Sequence, residues 1–359
     1  MSLRKKKRGG HKAKVIIEHT AFYSYMQRYL ENRLVLGYAQ ASHATYENNL
    51  RLFIVWCDER GLDEPRCITK PVLERYQKYL YYLRKSTGEP LTSSAQQARL
   101  LAVKAFFKWL TQENYLLYNP ASEIQLPKRA RRLPHTILSV EEMRRVLNLA
   151  NTQTPEGIRD RTIMELLYGC GLRRTELLHL ATYDINLARQ LVVVRGGKGN
   201  KDRLLPLGES AAQWIEKYMA DVRPLLLPAG YEERLFLTDY GEPFTASYLG
   251  GHIKKYLQKA EIRLKGSCHL FRHAMATHML ENGADIRFIQ AMLGHEDLNT
   301  TQIYTHVSVE KLREIHAATH PARVPRQARR STTFQEATAA ELLTALAVES
   351  ELEQEDSAL

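Results

Sequence analysis

Gly169-Cys-Gly-Leu-Arg173-Arg-Thr-Glu176 is a glycine turn that runs into the apolar residues Leu177, Leu178 and Leu180. It puts Arg173 at a helix N-terminus, where unpaired backbone N–H groups and the helix dipole already favour an anion. An arginine fork there grips a phosphate at two points. Glu176 follows three residues later on the same face and either orients an arginine or forms an ordinary helical ion pair. Lys198 stands between two glycines in Gly196-Gly-Lys-Gly-Asn-Lys-Asp202. The missing side chains on either side let the backbone approach a ligand, and the long ammonium reaches in; a solvated turn lysine is the alternative. In His269-Leu-Phe-Arg272-His273 the first histidine and the arginine are neighbours at i and i+3, so both address a single phosphate. His269 and His273 also have a zinc-ligand spacing, but no glutamate follows His269, and neither a metal nor another cofactor is expected. Leu293-Gly-His295 comes next, and nine residues after that histidine stands Tyr304. A tyrosine in this company fits covalent catalysis on a phosphodiester: the phenolate attacks phosphorus and displaces one sugar oxygen. The phosphotyrosyl ester preserves the energy of the broken bond, so resealing needs no ATP, and cationic side chains replace metal ions in steadying the transition state.

These residues need elements to hold them. Gln190–Arg195 and Arg203–Leu207 have the composition of two short strands, joined as a hairpin by the Lys198 turn. Ser139-Val-Glu-Glu142 has capping-box spacing and predicts a helix through Met143 and Leu147. Towards the N-terminus the period is helical: Leu50, Phe53, Ile54 and Cys57 form one apolar stripe and Leu100, Val103, Phe107 and Leu110 another. Arg99, Lys104 and Lys108 fall opposite the second stripe, which predicts a helical bundle with a basic side that lies on DNA. The proline-bracketed stretch Leu126–Pro134 carries Lys128, Arg129, Arg131 and Arg132 and reads as an extended charged linker.

The 359 residues carry 51 Lys+Arg against 40 Asp+Glu, a net charge of +11. Residues 1–134 hold 24 of those bases against 11 acids, residues 135–320 hold 23 against 22, and residues 321–359 hold 4 against 7. The excess therefore lies in the N-terminal third, the footprint of a polyanionic partner such as nucleic acid. Residues 1–14 include seven bases and no acid, a composition that cannot pack a core. Residues beyond Pro321 form a separate segment with Arg323, Arg326, Arg329 and Arg330, an expected helix around Glu336–Leu352 with Leu342, Leu343 and Leu346 on one side, and an acidic end. No apolar run approaches the roughly 20 residues of a membrane helix. The four cysteines, Cys57, Cys67, Cys170 and Cys268, lack paired spacing, and a reducing cytoplasm is the expected compartment.

The order Arg173, Lys198, His269-x-x-Arg272, His295, Tyr304 resembles the tyrosine recombinase (phage integrase-like) family, most closely its Xer-type branch. The resemblance includes the Gly-Leu-Arg-x-x-Glu turn, the Gly-Lys-Gly-Asn-Lys-x-Arg hairpin, Leu-Gly-His and Tyr-Thr-His, and covers about 300 of the 359 residues. It implies a mainly α fold with a small antiparallel β-sheet, in which a helical core-binding (SAM-like) domain, residues 15–125, and a catalytic domain, residues 137–321, form a C-shaped DNA clamp. Residues 1–14 are then a basic arm, residues 126–136 a linker and residues 322–359 a tail. By the same resemblance Arg173 and Arg272 hold the scissile phosphate, His269 and His295 complete the pocket, Lys198 protonates the departing 5′ oxygen, Tyr304 makes a 3′-phosphotyrosyl link, and Glu176 supports the arginines. Lys201 and Arg203 are expected to contact DNA along with the linker and bundle bases. The partner implied is a double-stranded recombination site. Four protomers, alike or paired with a second recombinase, exchange strands between two duplexes through a Holliday junction, with or without an accessory protein, on the nucleoid and not at a membrane. A helix after the tyrosine, Ser308–His320, docks on the neighbouring protomer through Leu312 and Ile315. The biological setting is dimer resolution of chromosomes or plasmids, or integration and excision of a mobile element. A type IB-like topoisomerase and a catalytically silent DNA-binding relative are the competing readings.

Overall fold

The computed structural model describes residues 16–38, 40–85, 88–128, 137–196, 202–227, 232–264, 266–294, 309–321 and Leu346. The chain divides into two compact units, one within Arg8–Arg132 and the other within Leu133–Leu359.

The first unit is all helical: α1 (Ala21–Val35), α2 (Gln40–Asp58), α3 (Lys70–Tyr82) and α4 (Ser93–Gln112). Both apolar stripes read from the sequence face inward, since Leu50, Phe53, Ile54 and Cys57 of α2 and Leu100, Val103, Phe107 and Leu110 of α4 are buried. Phe53 sits at the centre, with Phe22, Tyr76 and Phe107 presenting ring edges to it at centroid distances of 6.1, 4.9 and 6.0 Å. Such edge-to-face pairs add about 1 kcal/mol each beyond the area they bury. Thr92 starts α4 by accepting the Ala95 N–H, a cap for one of the unpaired donors of the first turn.

The second unit surrounds α6 (Pro155–Gly169), which is packed on nearly every side by α5 (Val140–Asn148), α8 (Glu209–Lys217) and α11 (Cys268–Glu281). Ser139 and Glu142 close the expected capping box at the start of α5. A helix buried all round cannot carry unpaired charge, and the polar residues of α6 are accordingly bonded. The Arg159 guanidinium donates to Asp160 at 3.0 Å and to the Leu237 carbonyl at 3.2 Å. The other Asp160 oxygen meets His252 Nε2 and the Tyr256 hydroxyl, both at 2.7 Å, which ties α10 (Ala246–Lys259) to α6. After α6 come the short α7 (Arg174–His179) and an antiparallel sheet of β1 (Ile185–Asn186), β2 (Leu191–Val194) and β3 (Arg203–Pro206) in the order β1-β2-β3. β2 and β3 form the expected hairpin, with Val194 opposite Arg203 and Val192 opposite Leu205; β1 is an addition to it. α8 runs on through a π-helical turn at Tyr218–Val222 into α9 (Arg223–Leu226). α12 (Ile286–Leu293) and α13 (Val309–Thr319) complete the unit.

α13 packs within its own chain. Leu312 belongs to the core of the second unit, Ile315 packs against that core, and His316 Nε2 and His320 Nε2 lie 2.7 and 3.1 Å from the carbonyls of Gly169 and Tyr168. The expected anchors to a neighbour are thus occupied in this single chain. Leu346, from the tail, is helical and buried in the same core; the rest of the expected helix around Glu336–Leu352 and the basic arm 1–14 lie outside the described residues. Among the described residues no helix is long and apolar enough to cross a membrane.

Candidate active site

α6 ends at Gly169, and the chain turns through Gly171 at φ 60° before α7 begins. The left-handed conformation at Gly171 favours glycine, and a side chain there would push on the methyl end of Met275. Arg173 is the N-cap of α7, as the sequence predicts. Its backbone N–H donates to Glu176 Oε2 at 2.9 Å, and its Nη1 donates to Glu176 Oε1 at 2.9 Å. The same carboxylate accepts both ends of the Arg203 fork, at 2.8 and 2.7 Å. Glu176 is therefore the shared acid of two guanidiniums. Burial opposes its ionisation, but the Arg203 hydrogen bonds and the charges of Arg203, Arg173 and Arg272 prevail and hold its pKa at about 2.

The second arginine of the expected pair arrives from α11. Arg272 is buried, with Nη1 donating to the Gly171 carbonyl at 2.6 Å and Nη2 to the Leu293 carbonyl at 2.7 Å. Arg173 Nη2 reaches the next carbonyl, Gly294, at 3.4 Å, and Arg203 Nε reaches the one before, Met292, at 3.1 Å. Three guanidiniums thus meet three consecutive carbonyls at the C-terminal end of α12. The last carbonyls of a helix lack partners within it and carry its negative dipole end, which is why this end collects cations. Gly294 closes α12 in the left-handed conformation, φ 64°. His269, one turn before Arg272 on α11, is buried at 5% exposure.

The described site therefore unites Arg173 and Glu176 with Arg272, from two separated parts of the sequence, and adds Arg203 from a third, with His269 one turn from Arg272 on α11. The structure gives Arg203 a different task from the DNA contact expected of it: 13% of its side chain is exposed and its fork is spent on Glu176. The hairpin register accounts for this. Residues directly paired across two strands point to the same face, and Arg203 is paired with the buried Val194. Lys198, Lys201, His295 and Tyr304 lie outside the described residues, as do Arg129, Arg131 and Arg132. In the first unit Lys108 and Lys128 are exposed, whereas Arg99 is half-buried and Lys104 donates to the Ser122 and Ile124 carbonyls at 3.2 and 2.7 Å. The expected basic side of α4 is thus narrower than its residue types imply, because Lys104 fastens the segment that follows its own helix. No group of three or more His, Cys, Asp or Glu able to hold a metal occurs among the described residues.

A family model described as the phage integrase family matches residues 136–311. The chain is 50% identical over 311 residues to Tyrosine recombinase XerC 2 of Ralstonia nicotianae, covering 87% of this chain and 89% of that one. It belongs to the tyrosine recombinase family, in the Xer branch. This recombinase is also 37% identical over 285 residues to Tyrosine recombinase XerD of Pseudomonas aeruginosa, covering 79% and 93% of the two chains. Its fold is that of the Tn1549 transposon integrase solved with circular intermediate DNA, at a TM-score of 0.58 and 20% identity over 81% of this chain and 98% of that one. The recombinase is a site-specific DNA recombinase with a mainly helical fold and a small antiparallel sheet. These similarities do not favour the topoisomerase or the silent DNA-binding reading.

Proposed function

We propose that Tyr304 of this recombinase attacks a phosphodiester of duplex DNA. The phenolic oxygen bonds to phosphorus, the P–O5′ bond breaks, and the strand end stays on the enzyme as a 3′-phosphotyrosyl ester. Lys198 gives its proton to the departing 5′ oxygen. Arg173 and Arg272 hold the non-bridging oxygens, with His269 and His295 hydrogen bonding and handling protons beside them. Glu176 keeps the arginines in register. The observation that carries this reading is the meeting of Arg173 and Arg272, 99 residues apart in the sequence, on the adjacent carbonyls Gly294 and Leu293, one residue before His295. Guanidiniums brought together in this way suit the negative charge that builds on a phosphoryl group in its transition state.

The DNA is held by a core-binding domain, residues 15–125, and a catalytic domain, residues 137–321, with Lys108, Lys128, Arg129, Arg131, Arg132 and Lys201 on its phosphates. Four protomers act on two duplexes in the cytoplasm, on the nucleoid, either alone or with a second recombinase, and pass through a Holliday junction. The setting is dimer resolution or mobile-element movement. A duplex nicked beside the cleavage point tests the chemistry, because the released fragment diffuses away and traps the intermediate. Wild type accumulates a denaturant-stable DNA adduct, whereas Tyr304→Phe binds the same duplex and traps none. An adduct formed by the phenylalanine variant would remove Tyr304 from the mechanism.

A further inference from the structure

We propose that Arg203 is a positioning residue for catalysis, whose charge offsets Glu176 so that Arg173 keeps its attraction for the phosphate. The inference rests on the reading of Arg173 and Arg272 as the phosphate-holding pair. One carboxylate facing one arginine makes a neutral pair; one carboxylate facing two leaves a positive charge. In this site Arg203 takes both carboxylate oxygens of Glu176, at 2.8 and 2.7 Å, while the Arg173 side chain takes one, at 2.9 Å. The carboxylate is 4% exposed and the Arg203 side chain 13%, so water screens the exchange weakly.

The second part of the geometry concerns place. Arg203 Nε donates to the Met292 carbonyl, while its Cδ, Nε and Nη1 all lie 3.4 Å from where a side chain at Gly294 would begin. The end of α12 therefore lies flat on the Arg203 guanidinium, and the same guanidinium closes on Glu176 in α7. One side chain from β3 thus joins the two elements that carry Arg173 and lead to His295. Lysine retains the charge but has neither a fork for two carboxylate oxygens nor a third donor in the same plane for the carbonyl.

The test compares two scissile linkages in the nicked duplex used to trap the adduct: the ordinary phosphodiester and a methylphosphonate, in which a methyl group replaces one charged oxygen. A neutral phosphorus centre has less need of the cationic pocket. On the phosphodiester, Arg203→Gln is expected to form adduct about 30-fold more slowly than wild type, below the loss seen when a direct transition-state donor is removed. Binding of the duplex is expected to change less than about twofold, because the Arg203 guanidinium is spent on Glu176 and the Met292 carbonyl. On the methylphosphonate, the variant is expected within about threefold of wild type, and Arg203→Lys is expected between the two on the phosphodiester. A misfolded fraction would slow both substrates alike, so an equal defect on the two linkages overturns the proposal. Arg173→Ala serves as the reference. If it is relieved by the neutral linkage and Arg203→Gln is not, the role of Arg203 falls alone; if Arg173→Ala is not relieved either, the phosphate-holding assignment falls with it.

Discussion

Glu176 is a buried acid whose carboxylate is shared by two arginines, Arg173 and Arg203. Its pKa, lowered from 4.5 to about 2, has a consequence for stability. In the unfolded chain the carboxylate takes up a proton below its ordinary value, whereas in the fold it resists until about 2. Its contribution is complete above about pH 4.5 and drains away as pH falls through that window, at about 1.4 kcal/mol per unit and about 3 kcal/mol in total. Glu176→Gln is expected to cost about 3 kcal/mol at neutral pH by leaving buried guanidiniums without their anion, and to flatten the acid limb of a urea-unfolding series between pH 5 and 2.5. A variant with wild-type stability and an unchanged acid limb would show that the ion triad contributes nothing to folding. Helix spacing paired Arg173 with Glu176 and His269 with Arg272, but only the resemblance to the tyrosine recombinases joined the two pairs into one site. Arg203 was not legible in the sequence, since its role depends on a strand register set across a turn whose length does not determine it.

At the scale of elements, the apolar stripes of α2 and α4 and the capping box of α5 were read correctly. The burial of α6 on all sides was harder to see. Arg159, Asp160 and Glu165 interrupt its apolar pattern, and their burial becomes intelligible only through partners distant in sequence, such as His252 and Leu237. α13 is expected to dock on a neighbour, and in this single chain His316 and His320 fasten it to the end of α6. Their rings stack at 4.8 Å, His320 also lies 4.6 Å from the Tyr168 ring, and the Tyr168 hydroxyl meets His278 Nδ1 at 2.9 Å. Burial lowers the pKa of both His316 and His320, and for His320 the neighbouring His316 adds to the effect. A histidine that stays neutral in the fold but takes a proton when released favours release as pH drops, by up to about 1.4 kcal/mol per unit per ring below about 6.5. Amide exchange in α13, corrected for the intrinsic rate, is therefore expected to accelerate between pH 7 and 5. His320→Phe, which keeps a ring but cannot take the proton, is expected to blunt that acceleration. Exchange that is flat with pH in the wild type would exclude the imidazoles as the fastening.

For the whole molecule, charge distribution was the most informative feature of the sequence, because electrostatic attraction to DNA needs no defined geometry. The excess of 24 bases over 11 acids in residues 1–134 persists whichever bases are engaged internally, and Lys104 shows that some are. Deleting residues 1–14, with seven bases, is expected to lower DNA affinity and to make it less sensitive to salt, each lost phosphate contact reducing the slope of log K against log salt by about 0.9. An identical slope for the truncated protein would mean that the arm does not touch DNA. Where the C-terminal helix sits has a different importance. The final carbonyls of α6 accept from imidazoles that lie downstream of Tyr304, and the chain needs only two more residues from Gly169 to reach the left-handed glycine whose carbonyl accepts from Arg272. If α13 moves to a second protomer, those oxygens lose their donors, and the backbone that aims Arg173 and Arg272 must answer to whatever replaces them. Readiness to cut would then be set in part by company: a protomer whose neighbour restores the missing contacts and one whose neighbour does not would differ at the phosphate without any change in the residues that touch it.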